Sequence, residues 1–330
     1  MQQADPLRLL PDLTDDLARV EDRLHAEVGS DLPFLTEVAA HLITAGGKRI
    51  RPGFAIAAAA TAYTPTRPVH DDVIGGASAV ELVHLGSLYH DDVMDDATTR
   101  RNVASVNAAW GNHRAILAGD FLLARASEIA AGLGTEVSQI LASTIAALCE
   151  GQIRELQDNY NVDRTVRDYE ASITGKTASL LAASCRIGAL TGGVDRAGVE
   201  ALTEFGHSYG MAFQIVDDIL DVVATDEQLG KPSGNDLAEG NYTLPVINTM
   251  RNPGGDKLRA ILGGPLTDEQ WARAREIVRS DGGVAEALET AQAWADKAAG
   301  SLTSLPDNDA ANALRAAGDH LVERVSAPII

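Results

Sequence analysis

The chain has 330 residues, and its 27 basic and 47 acidic side chains give a formal net charge of −20 at pH 7. This excess of negative charge argues against general binding of nucleic acid or of an anionic membrane face. Hydrophobic residues make up 45% of the chain and aromatic residues only 4%, a composition that favours helices over strands.

The cysteines and the N-terminal segment indicate the compartment. Cys149 and Cys185 both lie in apolar helical patterns, which predicts buried thiols and not a disulfide framework. The N-terminal segment lacks a basic stretch followed by an apolar one, and no charge-free run is long enough to span a bilayer. We therefore expect a cytoplasmic protein without a transmembrane segment.

Apolar residues recur at helical spacing along most of the chain, and no segment shows a convincing strand pattern. The predicted helices cover residues 12–28, 33–45, 50–63, 69–96, 112–132, 135–159, 165–192, 197–224, 240–251, 255–262, 267–280, 283–303 and 307–326. They are separated by Gly, Pro, Asn and Asp clusters typical of turns and caps, without a flexible linker or an internal repeat. The pattern predicts an all-α protein with a single domain over residues 1–330.

Two of these helices, 69–96 and 197–224, are apolar on nearly all sides and are predicted to be buried at the centre. Each ends in a cluster of carboxylates: Asp91, Asp92 and Asp95 in the first, and Asp217, Asp218 and Asp221 in the second. In each cluster the first and last aspartates are four positions apart and share a helix face, where their mutual repulsion and the helix dipole are unfavourable. One such cluster is typical of a solvated helix end, but two favour a hard divalent cation such as Mg²⁺.

Basic residues next to glycines or next to the first aspartate cluster supply the opposite charge. They are Lys48 and Arg51 in "GGKRIRP", Arg100 and Arg101 after the first cluster, Lys176 in "GKT", and Lys231 in "GKP". Lys48 and Arg51 are three positions apart, which we interpret as helical spacing after a Gly-Gly turn. Any one of them fits a solvated surface cation, but together on an acidic chain they predict diphosphate recognition. The "GKT" lacks the upstream glycine and the preceding strand of a nucleotide-binding loop, and motifs for zinc hydrolases, thiol redox proteins and serine hydrolases are missing.

Taken in order, "GGKRIRP", "ELVHLGSLYHDDVMD", "RR", "GDFLL", "GKT" and "FQIVDDILD…GKPSGNDLAEGNYTLP" resemble the motifs of the trans-isoprenyl (polyprenyl) diphosphate synthase family, medium- or long-chain type. The match runs from about residue 33 to 250, and the helices from 255 to 326 add only a helical pattern. The resemblance implies the isoprenoid synthase fold, a helical bundle around a central cavity with the two aspartate motifs facing each other across its mouth. It also implies a homodimer that uses Mg²⁺ to join an allylic diphosphate to isopentenyl diphosphate, giving an all-trans polyprenyl diphosphate.

The resemblance also implies roles for single residues. Asp91, Asp95 and Asp217 match positions that hold metal, with three Mg²⁺ ions bound together with the allylic diphosphate, and Asp92, Asp218 and Asp221 complete the two catalytic motifs. Lys48, Arg51, His84 and Arg101 match the pocket for isopentenyl diphosphate. Arg100, Lys176, Thr177, Gln214 and Lys231 match positions that hold the allylic diphosphate. The chain departs from the family at Asn102 and Ala104, where Gly and Pro are usual, and at Glu155, where shorter-chain relatives carry Asp.

The product length depends on the residues before the first aspartate. In short-chain relatives a bulky aromatic four or five positions earlier forms the floor of the cavity, whereas here those positions are Ser87 and Gly86. A helical turn is about 5.4 Å deep, so small residues open the cavity below the metal site and predict a product longer than fifteen carbons. Two alternatives stay open for the tunnel: Gly86 permits close helix packing, or Tyr89 blocks the way.

Other functions also stay open. The alternatives are a non-catalytic or partner-dependent subunit of a heteromeric synthase, and a short-chain geranylgeranyl diphosphate synthase. A synthase of either product length is also compatible with transient membrane contact for product release.

Overall fold

The computed structural model describes residues 7, 10–62, 68–224 and 234–326, and α-helices dominate these ranges. The helices are α1 Leu13–Glu27, α2 Pro33–Thr44, α3 Ile50–Ala59, α4 Asp71–Met94, α5 Val106–Trp110, α6 Asn112–Leu133, α7 Thr135–Gln157, α8 Val166–Ile173, α9 Ser179–Thr191, α10 Arg196–Val223, α11 Asn235–Glu239, α12 Leu244–Arg251, α13 Gly255–Arg259, α14 Asp268–Ser280, α15 Gly283–Ser301 and α16 Asp309–Ser326. A π-helical turn, Thr174–Ala178, joins α8 to α9, and a 3-10 turn, Leu302–Ser304, follows α15. The all-α prediction is confirmed. Lys231 lies outside the described residues.

The long helices α4 and α10 form the centre of the bundle. Every residue from Val73 to Val83 is buried, so α4 has no solvent-exposed face over three turns, as its apolar sequence predicts. It packs against α1, α3, α6 and α9, while α10 packs against α9 and α15. The ends of α4 and α10 that carry the aspartates are thereby held by packed helices on several sides.

A short β-hairpin after α4 is an element that the sequence pattern did not predict. Strands β1 Thr99–Arg100 and β2 Val103–Ala104 pair antiparallel, which leaves Arg101 and Asn102 as a two-residue turn. Both turn residues have positive φ, 53° and 62°, as in a type I′ turn. Asparagine tolerates this conformation well, so Asn102 suits the turn, although the family usually has glycine there. Strands of two residues are too short to show alternation in a sequence.

Three further expectations need correction. The predicted helix 165–192 is interrupted by the π-helical turn, and the short helices α5 and α11 were not predicted. Both cysteines are free, but only Cys185 is buried, because Cys149 lies on the exposed face of α7.

In the described ranges no helix combines the length and the apolar character that crossing a membrane requires.

Candidate active site

The carboxylates of Asp91 and Asp95 lie close together and partly desolvated at the end of α4. Asp91 and Asp95 are one turn apart, and the backbone N–H of Asp95 donates to the carbonyl oxygen of Asp91 at 2.9 Å. Burial raises the pKa of Asp91 to about 6 against the opposing effect of the Lys176 ammonium, and the Asp95 carboxylate adds to the rise. A bound cation would relieve this repulsion.

Asp92 has a different role from its two neighbours. It is fully buried, and its Oδ1 accepts from Arg100 Nε at 2.7 Å and Nη2 at 2.6 Å. Asn107 donates to the backbone carbonyl oxygen of Asp92 at 2.9 Å. Asp92 therefore fastens the Arg100-bearing hairpin to the end of α4, a partnership that spacing alone does not reveal.

Cations gather around His84, which lies on α4 two helical turns before Asp91. The pKa of this half-buried histidine is well below its ordinary value because of burial and because the Arg51 and Arg101 guanidiniums oppose a further positive charge. Burial also lowers the pKa of Arg51, although Glu81 acts in the opposite direction, and Arg51 Nε is buried without a hydrogen-bond partner among the described residues. A desolvated cation with an unused donor fits an anionic ligand such as a diphosphate.

The Gly-Gly turn holds Arg101 in place. Arg101 donates to the carbonyl oxygens of Leu42, at 2.8 Å, and of Gly46. A Cβ atom on Gly47 would lie 3.0 Å from Arg101 Cζ, so a larger residue at this position would displace the guanidinium. The second glycine thus makes room for an arginine, whereas the sequence suggested close approach of an anion to the backbone.

The predicted helical spacing of Lys48 and Arg51 is wrong. Helix α3 begins at Ile50, and Arg49 before it is left-handed with φ 47°, so Lys48 lies outside the helix. Lys48 is exposed and makes no hydrogen bond or ion pair within the described ranges. Arg49 is the buried cation instead, with Nη1 2.9 Å from Glu81 Oε1. The left-handed residue therefore leaves Lys48 outside and turns Arg49 inward, while Arg51 stays near His84.

The π-helical turn brings Lys176 to the carboxylates. Lys176 Nζ lies 2.6 Å from Glu155 Oε1 on α7. Burial would lower the pKa of Lys176, but Glu155, Asp91 and Asp95 together raise it, so the ammonium is held charged. A Cβ on Gly151 would lie 2.4 Å from the backbone nitrogen of Lys176, and only glycine lets α7 approach the turn so closely.

A hydrogen-bonded chain joins the π-helical turn to α10. Thr177 Oγ1 donates to Gln214 Oε1 at 2.6 Å, and Gln214 Nε2 donates to Asp218 Oδ1 at 2.7 Å. The Tyr169 hydroxyl donates to Asp218 Oδ2 at 2.6 Å. Burial raises the pKa of Asp218 to about 7 despite these donors. Asp217, in contrast, is exposed.

The two aspartate motifs share electrostatic neighbours. Glu155 raises the pKa of both Asp91 and Asp218, after the larger effect of burial. Burial raises the pKa of Glu239 at the end of α11, and Asp95 and Asp221 add to it. Asp221 is itself buried on α10 and accepts from the backbone N–H of Asp236 at 3.3 Å. The structure thus brings the ends of α4 and α10 to one site.

The donor set fits a hard divalent cation that is completed by its ligand. Within the described part of the chain, no three side chains of the metal-binding types are close enough together to hold an ion by themselves. Mg²⁺ typically takes one or two carboxylates and fills its shell with water and phosphate oxygens. Asp91 and Asp95 offer such a pair, and their repulsion supports the fit.

Tyr169, Arg49 and Glu239 were missed by the sequence analysis. Tyr169 lies on the buried face of the amphipathic helix α8, Arg49 stands between the two predicted cations, and Glu239 ends a short helix. None belongs to a spacing motif. Tyr169 and Arg49 are identified by their partners, Asp218 and Glu81, which are distant in the chain. A single sequence carries no signal for such long-range pairs.

The residues proposed to set product length lie where α4 meets α2 and α6. A Cβ on Gly86 would lie 3.1 Å from the Gly119 carbonyl oxygen and 3.2 Å from Leu123 Cγ, so Gly86 is at a close helix contact. Ser87 is half-buried and donates to the His84 carbonyl oxygen at 2.9 Å. Tyr89 donates to the Val38 carbonyl oxygen on α2 at 2.8 Å, which holds its ring against α2. The role of Gly86 and Ser87 in product length stays a prediction.

Known proteins are similar to this chain over most of its length. A family model described as Polyprenyl synthetase matches residues 32–279. Component 2 of a heptaprenyl diphosphate synthase from Geobacillus stearothermophilus is 44% identical over 92% of this chain and 94% of its own. A nonaprenyl diphosphate synthase from Mycobacterium tuberculosis is 40% identical over 93% of this chain and 92% of its own.

A solved structure shows the same fold. The polyprenyl synthase from Caulobacter crescentus, crystallised with calcium and isoprenyl diphosphate, superposes with a TM-score of 0.89 at 35% identity. The alignment covers 98% of this chain and 99% of that one. The isoprenoid synthase fold and the family resemblance are therefore confirmed. The chain belongs to the polyprenyl synthetase family.

Proposed function

We propose that this chain is a Mg²⁺-dependent trans-prenyltransferase that condenses an allylic diphosphate with isopentenyl diphosphate and makes a product longer than fifteen carbons. The observation that carries the proposal is the pairing of a cationic group and an acidic group at successive turns of α4. Arg51 and Arg101 lie near a neutral His84, and two helical turns further along α4 the crowded carboxylates Asp91 and Asp95 lie near Lys176. Family membership and the hepta- and nonaprenyl synthases among the relatives support the same reaction and product class.

The two substrates divide between these sites. Arg51, His84 and Arg101 would bind isopentenyl diphosphate, with Lys48 at the rim. Arg100 and Lys176 would bind the allylic diphosphate, together with up to three metal ions held by Asp91, Asp95 and Asp217. The relative crystallised with calcium and isoprenyl diphosphate supports a divalent cation in this family.

The chemistry follows from these charges. When bound, Mg²⁺ would neutralise charge on the departing diphosphate. Glu155 keeps Lys176 protonated, and the Lys176 ammonium stabilises the negative charge that develops on the diphosphate as the allylic C–O bond breaks. The double bond of isopentenyl diphosphate then forms the new C–C bond with the allylic cation, and a proton leaves to the released pyrophosphate. Thr177 follows Lys176 in the chain, and its hydrogen bond to Gln214 orients the Thr177 hydroxyl oxygen at the site.

A second candidate is a synthase component that needs a partner chain. The relative named component 2 of a heptaprenyl diphosphate synthase favours it, since this chain covers nearly the whole of that protein. We also propose a cytoplasmic homodimer that contacts membranes only to release product. The neighbouring apolar residues Ile116 and Leu117 on α6, with 41% and 65% of their surface accessible, support contact with a second copy.

The test incubates the purified chain with Mg²⁺, labelled isopentenyl diphosphate and allylic primers of increasing length, and sizes the products by chromatography. We expect elongation beyond fifteen carbons and its loss on removal of Mg²⁺ by a chelator. Asp95→Asn should abolish elongation, whereas Asp96→Asn, one position further, should retain it. Asp96 has φ 48°, a conformation that asparagine tolerates. Failure with every primer would overturn activity of the isolated chain, and recovery with a second component would support the two-component enzyme.

A further inference from the structure

The second aspartate of the α10 motif is held between two neutral donors. Asp218 keeps only 3% of its surface exposed, and it accepts from the Tyr169 hydroxyl at 2.6 Å and from the Gln214 amide at 2.7 Å. Each donor takes a different oxygen. A carboxylate engaged in this way on both oxygens is oriented from within the protein and is turned away from a role as a free ligand.

These contacts fix the direction of every hydrogen bond up to the π-helical turn. Gln214 presents its NH₂ group to Asp218 and its carbonyl oxygen to Thr177, the orientation that suits a carboxylate as the acceptor. Thr177 must then donate its hydroxyl hydrogen to Gln214, and the distance of 2.6 Å agrees. The lone pairs of the Thr177 hydroxyl oxygen then remain available to a ligand bound next to Lys176.

The far end of this chain of contacts is also fixed. The Tyr169 side chain is buried, with the Arg164 guanidinium 5.7 Å from the centre of its ring. Arg164 donates to Asn241 Oδ1 at 2.8 Å and to the Tyr242 carbonyl oxygen at 3.0 Å. Tyr169 therefore stands between the segment that follows α11 and the aspartate motif on α10.

We propose that Tyr169 is a positioning residue for the allylic half of the site, acting through Asp218 and Gln214 on Thr177. The proposal rests on the proposed function and extends it to a side chain that touches no substrate. Without the Tyr169 hydroxyl, Asp218 loses a buried donor and is free to rotate. Gln214 then has no fixed amide orientation, and the Thr177 hydroxyl loses its assigned direction.

Tyr169→Phe removes only the hydroxyl, and Tyr242→Phe is its matched control. Tyr242 is equally buried and its hydroxyl is also engaged, accepting from the Gly263 N–H at 2.7 Å, but it has no contact with Asp218. Both variants are assayed below the lower of their unfolding midpoints. We expect kcat to fall roughly 10- to 100-fold in Tyr169→Phe, the range for a buried hydrogen bond to a charged group. KM for isopentenyl diphosphate should be unchanged, because that substrate lies at the other site.

A general packing role predicts different results. Equal kcat in Tyr169→Phe and Tyr242→Phe would overturn the proposal, and so would a rise in KM for both substrates. A double-variant cycle adds an independent readout: in a Gln214→Met background the loss of the Tyr169 hydroxyl should change kcat little, whereas multiplicative losses would refute action through Gln214.

An inactive wild-type protein would overturn the proposed function and not this inference. In that case the readout is the rise of the unfolding midpoint on addition of Mg²⁺ with inorganic pyrophosphate. The unfolding midpoint should rise less in Tyr169→Phe than in Tyr242→Phe, and an equal rise in both variants would refute the positioning role.

Discussion

Replacing Asp91 with asparagine should make the ligand-free protein more stable while abolishing its activity. Burial raises the pKa of Asp91 from an ordinary 3.8 to about 6, so the folded state holds this proton more tightly than the unfolded state does. Stability is then lost as the pH rises from about 4 to 6, because the unfolded chain ionises first. Asparagine resembles the protonated carboxyl and avoids this loss.

The size of the effect follows from the shift. A change from 3.8 to about 6 is roughly two pKa units, which at about 1.4 kcal/mol per unit sets an upper limit of about 3 kcal/mol. Solvent at the half-buried carboxylate screens part of this, so we expect about 1–2 kcal/mol at pH 8. With an unfolding entropy of about 2.1 cal/mol/K per residue over 330 residues, the midpoint rises by about 1.5–3 °C.

The assay is thermal unfolding by circular dichroism at pH 4 and pH 8 in the presence of a chelator. Asp91→Asn should match wild type at pH 4 and exceed it at pH 8. Asp319→Asn, which changes an exposed aspartate in α16, should match wild type at both pH values. A destabilised Asp91→Asn at pH 8, or a difference between the variants that does not shrink in acid, would refute the assignment of unfavourable charge to this position.

Two further predictions concern α4. Glu81→Gln removes the buried one of two anionic partners of the Arg49 guanidinium, at 2.9 Å, and leaves only Glu21. It should lower the free energy of unfolding by about 1.5–3 kcal/mol in urea titrations, the range for a hydrogen bond to a charged group. Glu128→Gln, which breaks an exposed pair with Arg125, is the control and should change little, and similar losses in both would contradict the role of burial. Gly86→Phe should shorten the longest product seen by chromatography, because a ring there must displace Leu123. An unchanged product length would remove Gly86 from the tunnel.

Long apolar helices and their charged ends could be predicted from the sequence. The helix expected over residues 69–96 is α4 at Asp71–Met94, because hydrophobic periodicity over many turns outweighs local preferences. The position of the first aspartate cluster follows from it, since carboxylates are favoured at the end of a buried helix, and one inside it needs a paired cation, as Glu81 has in Arg49.

What the sequence could not predict depends on single dihedral angles and distant partners. The left-handed Arg49 moves Lys48 outside α3 and places an arginine in the core instead. Asp92 and Arg100 are eight positions apart and meet only because the hairpin turns back on α4. Such contacts are decided by tertiary packing, which local propensity does not determine.

The charges at the candidate site are arranged to be completed by ligands. Burial and like-charge neighbours raise the pKa of Asp91 and lower the pKa of His84, so both groups of charges along α4 are electrostatically unfavourable by themselves. Cations would relieve the carboxylate side and an anion would relieve the arginine side. Glu81, behind the arginines, balances only part of their charge. Metal and diphosphate bound together should therefore stabilise the fold more than either alone, since each reduces the repulsion that opposes the other.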